Sequence, residues 1–137
     1  METPFVEIDF VVKTYDVDMA QIVHNAVYIR WLEDLRTALM DKYLPLQHWM
    51  ARDLMPVLLE TRISYRRAVK LFDPVHGRLE MPRFGPVKWA MDIHFTVNGE
   101  LRAEAHQLGC FIDMKTMRAT PIPEDLRALF SRERTTN

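Results

Sequence analysis

The chain has 137 residues, 48% of them apolar and 27% charged, with a formal net charge of −1 at pH 7. That length holds one hydrophobic core, and the composition is that of a globular domain, which excludes a fibre or a disordered chain. The near-zero charge leaves no basic field to gather nucleic acid, and no apolar run approaches the roughly 20 residues of a membrane span.

The single cysteine, Cys110, cannot form an intrachain disulfide. Met1-Glu2-Thr3-Pro4 has neither a basic start nor an apolar signal segment, so a cytoplasmic protein is expected. His24, His48, His76, His94 and His106 are scattered, which argues against three or four converging metal ligands. No metal and no organic cofactor is expected. The glycines form no phosphate loop, and a G-x-S-x-G nucleophile elbow is absent. Catalytic chemistry is left to carboxylates and backbone dipoles.

In chain order, Val6, Ile8, Phe10 and Val12 alternate with Glu7 and Asp9, a period of two that predicts a strand with one buried face. Residues 13–21 have no period and read as a loop. From Asn25 the period lengthens. Tyr28, Leu32, Leu35 and Leu39 recur at steps of three and four, predicting a helix over about 25–43 with Asn25 as its N-cap. Pro45 permits a second short helical piece near 46–54.

Strand signals fill most of the remainder. Val57, Leu59, Thr61, Ile63 and Tyr65 are expected on one face, with Val75, Gly77, Leu79 and Met81 forming a shorter run. The clearest alternation runs through Val87, Trp89, Met91, Ile93, Phe95 and Val97. Asn98-Gly99 follows at once and predicts a type I′ hairpin turn, with the return strand over about 100–112. Pro121-Ile122-Pro123-Glu124-Asp125 opens a last short helix. One amphipathic helix must bury its stripe against the sheet, which gives two layers around one core. Long open sheet edges favour pairing with a second copy of the chain.

The loop before the long helix carries the best chemical constellation. Asp18 lies seven residues ahead of Asn25, where free helix N–H groups carry partial positive charge. Such groups can hold a carbonyl oxygen and the oxyanion it becomes, while a carboxylate acts on the carbonyl carbon.

Asp16-Val17-Asp18, Val23, Asn25, Tyr28, Trp31, Glu33 and Arg36 resemble the signature D-x-D-x-x-G-x-V-x-x-x-x-Y-x-x-W-x-E-x-x-R of hotdog acyl-CoA thioesterases of the 4-hydroxybenzoyl-CoA thioesterase type. The resemblance continues through residues 65–73 and Pro121-Ile122-Pro123-Glu124, so it spans nearly the whole chain. It implies an α+β hotdog fold as a single domain over 1–137, with a long central helix wrapped by an antiparallel sheet of about five strands. It also implies an acyl-CoA or acyl-carrier-protein thioester as substrate, bound in a pocket between two subunits of a homodimer or homotetramer.

By the same resemblance Asp18 is the catalytic carboxylate, acting on carbon directly or through water, and the backbone N–H near Asn25 polarises the carbonyl. Gln21, Val23, His24, Asn25 and Tyr28 are the expected substrate neighbours. Arg66, Arg67 and Lys70 are candidates for CoA phosphates, against the simpler reading of a solvated strand edge. Two positions depart from the pattern, Gln21 and Phe72 each standing where the family has glycine. Asp16 reads as structural, and Glu33 as a helical partner of Arg36 or Thr37 rather than a rival catalyst. Cys110 reads as a small buried hydrophobe. A binding protein that kept the pocket without turnover is the alternative in another class. A dehydratase is a third reading that the placement of His24 near Asp18 does not match.

Overall fold

The computed structural model describes residues 3–135, with side chains through residue 130, so Met1 and Glu2 of the N-terminal segment lie outside the described residues. Strand β1 (Phe5–Val11) leads through a 3-10 turn (Thr14–Asp16) to helix α1 (Asn25–Tyr43) and the short α2 (Leu46–Met50). Then come β2 (Leu54–Tyr65), β3 (Pro74–Phe84), β4 (Lys88–Val97), β5 (Glu100–Asp113), the three-residue β6 (Arg118–Thr120) and α3 (Glu124–Thr135). The sheet order is β1-β3-β4-β5-β2, with β6 paired to β5, and every pairing is antiparallel. This is the α+β arrangement that the resemblance implies.

The long helix occupies the span that its period predicts. Its buried side chains, including Tyr28, Trp31, Leu32, Leu35 and Leu39, form one stripe against the sheet. Gly77 of β3 permits the close approach. A Cβ there would stand 2.7 Å from the Phe10 ring and 3.2 Å from Leu35. Asn98 and Gly99 both take positive φ, 50° and 81°, as a type I′ turn requires. Cys110 is buried, as expected of a small hydrophobe.

Four local features depart from the sequence reading or add to it. Asn25 is the first helical residue, not the cap; His24 holds the cap position with extended backbone, and no side chain caps the helix. Helix α2 stops at Met50, and Leu54 already belongs to β2. Strand β6 was not anticipated from the sequence: three residues are too few to show a period.

The fourth feature concerns β2. A bulge between Leu58 and Glu60 shifts the register, so Leu58 pairs with Gly109 while Thr61 pairs with Gln107. Directly paired residues share a face of the sheet. Leu58 therefore lies on the face of Thr61 and Ile63, and Val57 on the opposite one. An extra residue reverses the alternation, and the sequence pattern does not reveal where it sits.

Candidate active site

Residues 17–23 form a tight β-turn structure ahead of α1. Val17 bridges Val23 in antiparallel fashion, and the Asp18 amide donates to the Ile22 carbonyl at 3.0 Å. Asp18 Oδ1 accepts from the amides of Ala20 and Ile22 at 2.9 and 3.1 Å. One carboxylate oxygen thus braces the loop, the role Asp commonly takes in turns. Oδ2 accepts no hydrogen bond among the described residues, and the residue is exposed. Asp16 differs: it is buried, and its Oδ2 accepts from the Lys13 amide at 2.8 Å, which closes the 3-10 turn. Its structural role is as expected.

The helix start beside this hairpin is open. The His24 amide donates to the Asp16 carbonyl at 3.0 Å, and Val27 donates back to His24. The amides of Asn25 and Ala26 have no acceptor among the described residues. Uncapped N–H groups at a helix start attract partial or full negative charge.

A second loop supports the first. Val23 donates to the Val69 carbonyl at 2.8 Å, Ile22 bridges Lys70, and Leu71 donates to the Gln21 carbonyl at 3.1 Å. Within it, Asp73 Oδ2 accepts from the Lys70 amide at 2.8 Å. Gln21 and Phe72 have φ of 63° and 78°, so both keep the left-handed backbone that glycine adopts without strain. Both positions where the resemblance implies glycine therefore hold a glycine-type backbone.

The expected substrate neighbours divide into two groups. Gln21, His24 and Asn25 are exposed around the hairpin and helix start, whereas Val23 and Tyr28 are buried beneath them. Tyr28 packs edge-on against Trp31, Tyr65 and Phe95, and burial raises its phenol pKa to about 12. Tyr65 Oη donates to the Asn25 carbonyl at 3.3 Å and so ties the end of β2 to the start of α1. The two arginines of the basic group are engaged within the chain: Arg66 pairs with Glu104 at 2.7 Å and Arg67 with Glu100 at 3.4 Å. Lys70 is exposed.

A feature that sequence patterns did not indicate is a cavity of about 370 Å³ against the C-terminal half of α1. Its walls include Met40, Trp49, Met81, Met91, Phe111 and Phe130, which are contributed by six different elements. Glu33 and Arg36 also line it. The expected Glu33–Arg36 ion pair does not form among the described residues; Arg36 Nη1 instead donates to Gln107 Oε1 at 3.0 Å. No group of three or more metal-ligating side chains gathers among the described residues, and no described helix is long and apolar enough to cross a membrane.

Residues 12–130 match the model of the thioesterase-like superfamily. The chain belongs to this superfamily. It is accordingly a thioester hydrolase, with the candidate carboxylate and the open helix start both inside the matched region. The long-chain acyl-CoA thioesterase FadM of Escherichia coli K12 is 27% identical over 118 residues, covering 85% of this chain and 89% of that protein.

Solved structures share the fold. A thioesterase from Thermus thermophilus, complexed with coenzyme A and zinc, superposes with a TM-score of 0.83 at 21% identity, covering 98% of this chain and 97% of that one. The 1,4-dihydroxy-2-naphthoyl-CoA thioesterase Slr0204 from Synechocystis superposes at 0.84 with 15% identity, covering 96% and 99%. Both place this thioesterase in the hotdog fold.

Proposed function

We propose that this thioesterase hydrolyses acyl-CoA esters, with Asp18 as the catalytic carboxylate and the amides at the start of α1 as the oxyanion site. The observation that carries the reading is the juxtaposition in the 17–23 hairpin. Asp18 Oδ1 is tethered by the amides of Ala20 and Ile22, Oδ2 is left for chemistry, and the uncapped amides of Asn25 and Ala26 follow directly. Family membership and relatives named for CoA esters support the substrate class.

In the water-mediated form, Oδ2 takes a proton from water as the water oxygen bonds to the thioester carbon. The carbonyl electrons move onto oxygen, where the helix amides stabilise them. Collapse of the adduct breaks the C–S bond, and the proton held by Asp18 passes to the thiolate. Carboxylic acid and thiol leave, and Asp18 is regenerated. In the direct form an Asp18 oxygen bonds to the carbonyl carbon and the C–S bond breaks, releasing thiolate. Water then opens the mixed anhydride to the acid and Asp18, and its proton goes to the thiolate. Both forms use the same residues and give the same products.

The reading includes a second copy of the chain. β2 pairs only with β5, and its other edge is open among the described residues, with Leu58 and Leu59 exposed. Ile29 of α1 is exposed as well. Antiparallel pairing of two β2 edges about a two-fold axis sets the Tyr65 end of one strand beside the Leu54 end of the other. Tyr65 marks the Asp18–Asn25 end of the molecule, whereas Met55, Pro56, Val57 and Leu58 line the cavity. The catalytic loop of one copy thereby faces the cavity of its partner. Thiol release from an acyl-CoA panel by wild type and Asp18→Asn tests the reaction. Activity retained in the variant overturns the assignment.

A further inference from the structure

β5 turns Ala103, Ala105, Gln107, Gly109 and Phe111 toward the helix layer. Four of these are small or apolar, and Gln107 is polar yet only 3% exposed. A buried amide costs stability unless its hydrogen bonds are met. Those of Gln107 are met in a directed way. Its Nε2 donates to Thr61 Oγ1 on β2 at 3.2 Å, which turns Oε1 toward Arg36 of α1. Three elements therefore cooperate to hold one guanidinium in the wall of the cavity.

That guanidinium has five N–H donors. Its one hydrogen bond among the described residues goes to neutral Gln107, and no carboxylate lies within ion-pair distance of it there. Burial lowers its pKa, opposed by the charge of Glu33 one turn away. Trp89 in the same wall is buried, and its indole N–H has no acceptor among the described residues. The remaining lining is dominated by Leu, Met, Trp and Phe side chains. The cavity thus combines an apolar body with more donors than the acceptors paired with them among the described residues.

We propose that the cavity selects acyl chains that carry an oxygen substituent, a hydroxyl or a keto group, with Arg36 as the specificity-determining donor and Gln107 and Thr61 as the residues that position it. The inference rests on the thioesterase reading for its reaction and adds the class of chain. A plain alkyl chain would remove water from the guanidinium without returning a hydrogen bond. An oxygen on the chain returns one. Glu33 also lines the cavity, and its negative charge disfavours a second carboxylate there, which favours a neutral oxygen. A cavity of about 370 Å³ is of the size that takes a small ligand or a medium-length chain, and dodecanoyl esters serve as the probes.

The test compares dodecanoyl-CoA with a positional series of monohydroxylated dodecanoyl-CoA esters and with the 12-carboxy analogue. Calorimetry of the corresponding free acids provides a readout independent of turnover. In wild type, at least one hydroxylated ester is expected to exceed the plain ester in kcat/KM by about tenfold, as losing one polar partner in a buried site commonly costs at least that. Arg36→Met brings the ratio to one or below, Arg36→Lys retains part of it, and Gln107→Leu reduces it. The ratio is taken within one protein preparation, so a general loss of folded enzyme leaves it unmoved. A wild type that prefers the plain chain over every hydroxylated one, or a ratio unchanged in Arg36→Met, overturns the inference and leaves the thioesterase reading standing. Preference for the carboxylated analogue overturns the neutral-oxygen assignment. If wild type hydrolyses none of the esters, the reaction reading falls, and the affinities of the free acids still decide the inference.

Discussion

The amide of Leu71 donates to the carbonyl of Gln21 at 3.1 Å, and through this bond the loop carrying Asp18 leans on the loop carrying Phe72. Each loop holds one non-glycine residue in left-handed backbone, and Phe72 is 87% exposed. Left-handed backbone costs an L-residue about 1–2 kcal/mol, partly offset by the entropy that glycine would lose on folding. Gln21→Gly and Phe72→Gly are therefore each expected to raise stability by about 0.5–1 kcal/mol in denaturant unfolding. A loss of stability in either would mean that the side chain makes a compensating contact.

Asp18→Asn keeps the size of the side chain and can still accept from the amides of Ala20 and Ile22 through its remaining carbonyl oxygen. What it loses is the charge. Turnover should fall by about 10²-fold or more while the fold and the stability of the loop change little. Near-UV circular dichroism and thiol-release kinetics check both halves. Full activity in Asp18→Asn together with none in a folded Glu33→Gln would move the catalytic carboxylate onto the helix.

The shared-site reading makes assembly and activity inseparable. Leu59 is 53% exposed at the β2 bulge, beside the edge proposed to pair. A charge there, as in Leu59→Lys, is the device by which natural edge strands resist pairing. Light scattering should give at least twice the chain mass for wild type and a shift toward monomer for the variant, with activity falling in step. A fully active monomer would place the whole site within one chain.

A pH effect on stability is expected on the outer sheet face. His76 Nδ1 lies 2.8 Å from Asp9, and Nε2 lies 3.4 Å from Glu7. The bond to Asp9 is the main cause that holds the imidazole pKa above its ordinary 6.5, against a smaller effect of burial. A pKa raised by folding means that this stabilisation is complete below pH 6.5 and is lost as pH rises through the folded-state value. The groups are well exposed, so the effect is small. Unfolding midpoints of wild type should drift downward just above pH 6.5, and His76→Gln should remove that component. An identical slope in the variant would assign the titration elsewhere.

Local periodicity carried much of the architecture. The three- and four-residue steps of Tyr28, Leu32, Leu35 and Leu39 mark α1 because a helix must turn one face to the core, and Asn98-Gly99 marks the β4–β5 turn because both positions need positive φ. The order of Asp18, Asn25 and Tyr28 pointed to the candidate site for a similar reason: a loop carboxylate before a helix start is a local arrangement. What the chain order left open was every relation across elements. The β2 bulge changes which side chains face inward through one unpaired residue, and only pairing with β5 locates it. The bond from Arg36 to Gln107 joins residues 71 positions apart, and the cavity is walled by single side chains from distant elements. Periodicity reports which face of an element is buried, whereas the partner of a buried polar group is set by packing in three dimensions.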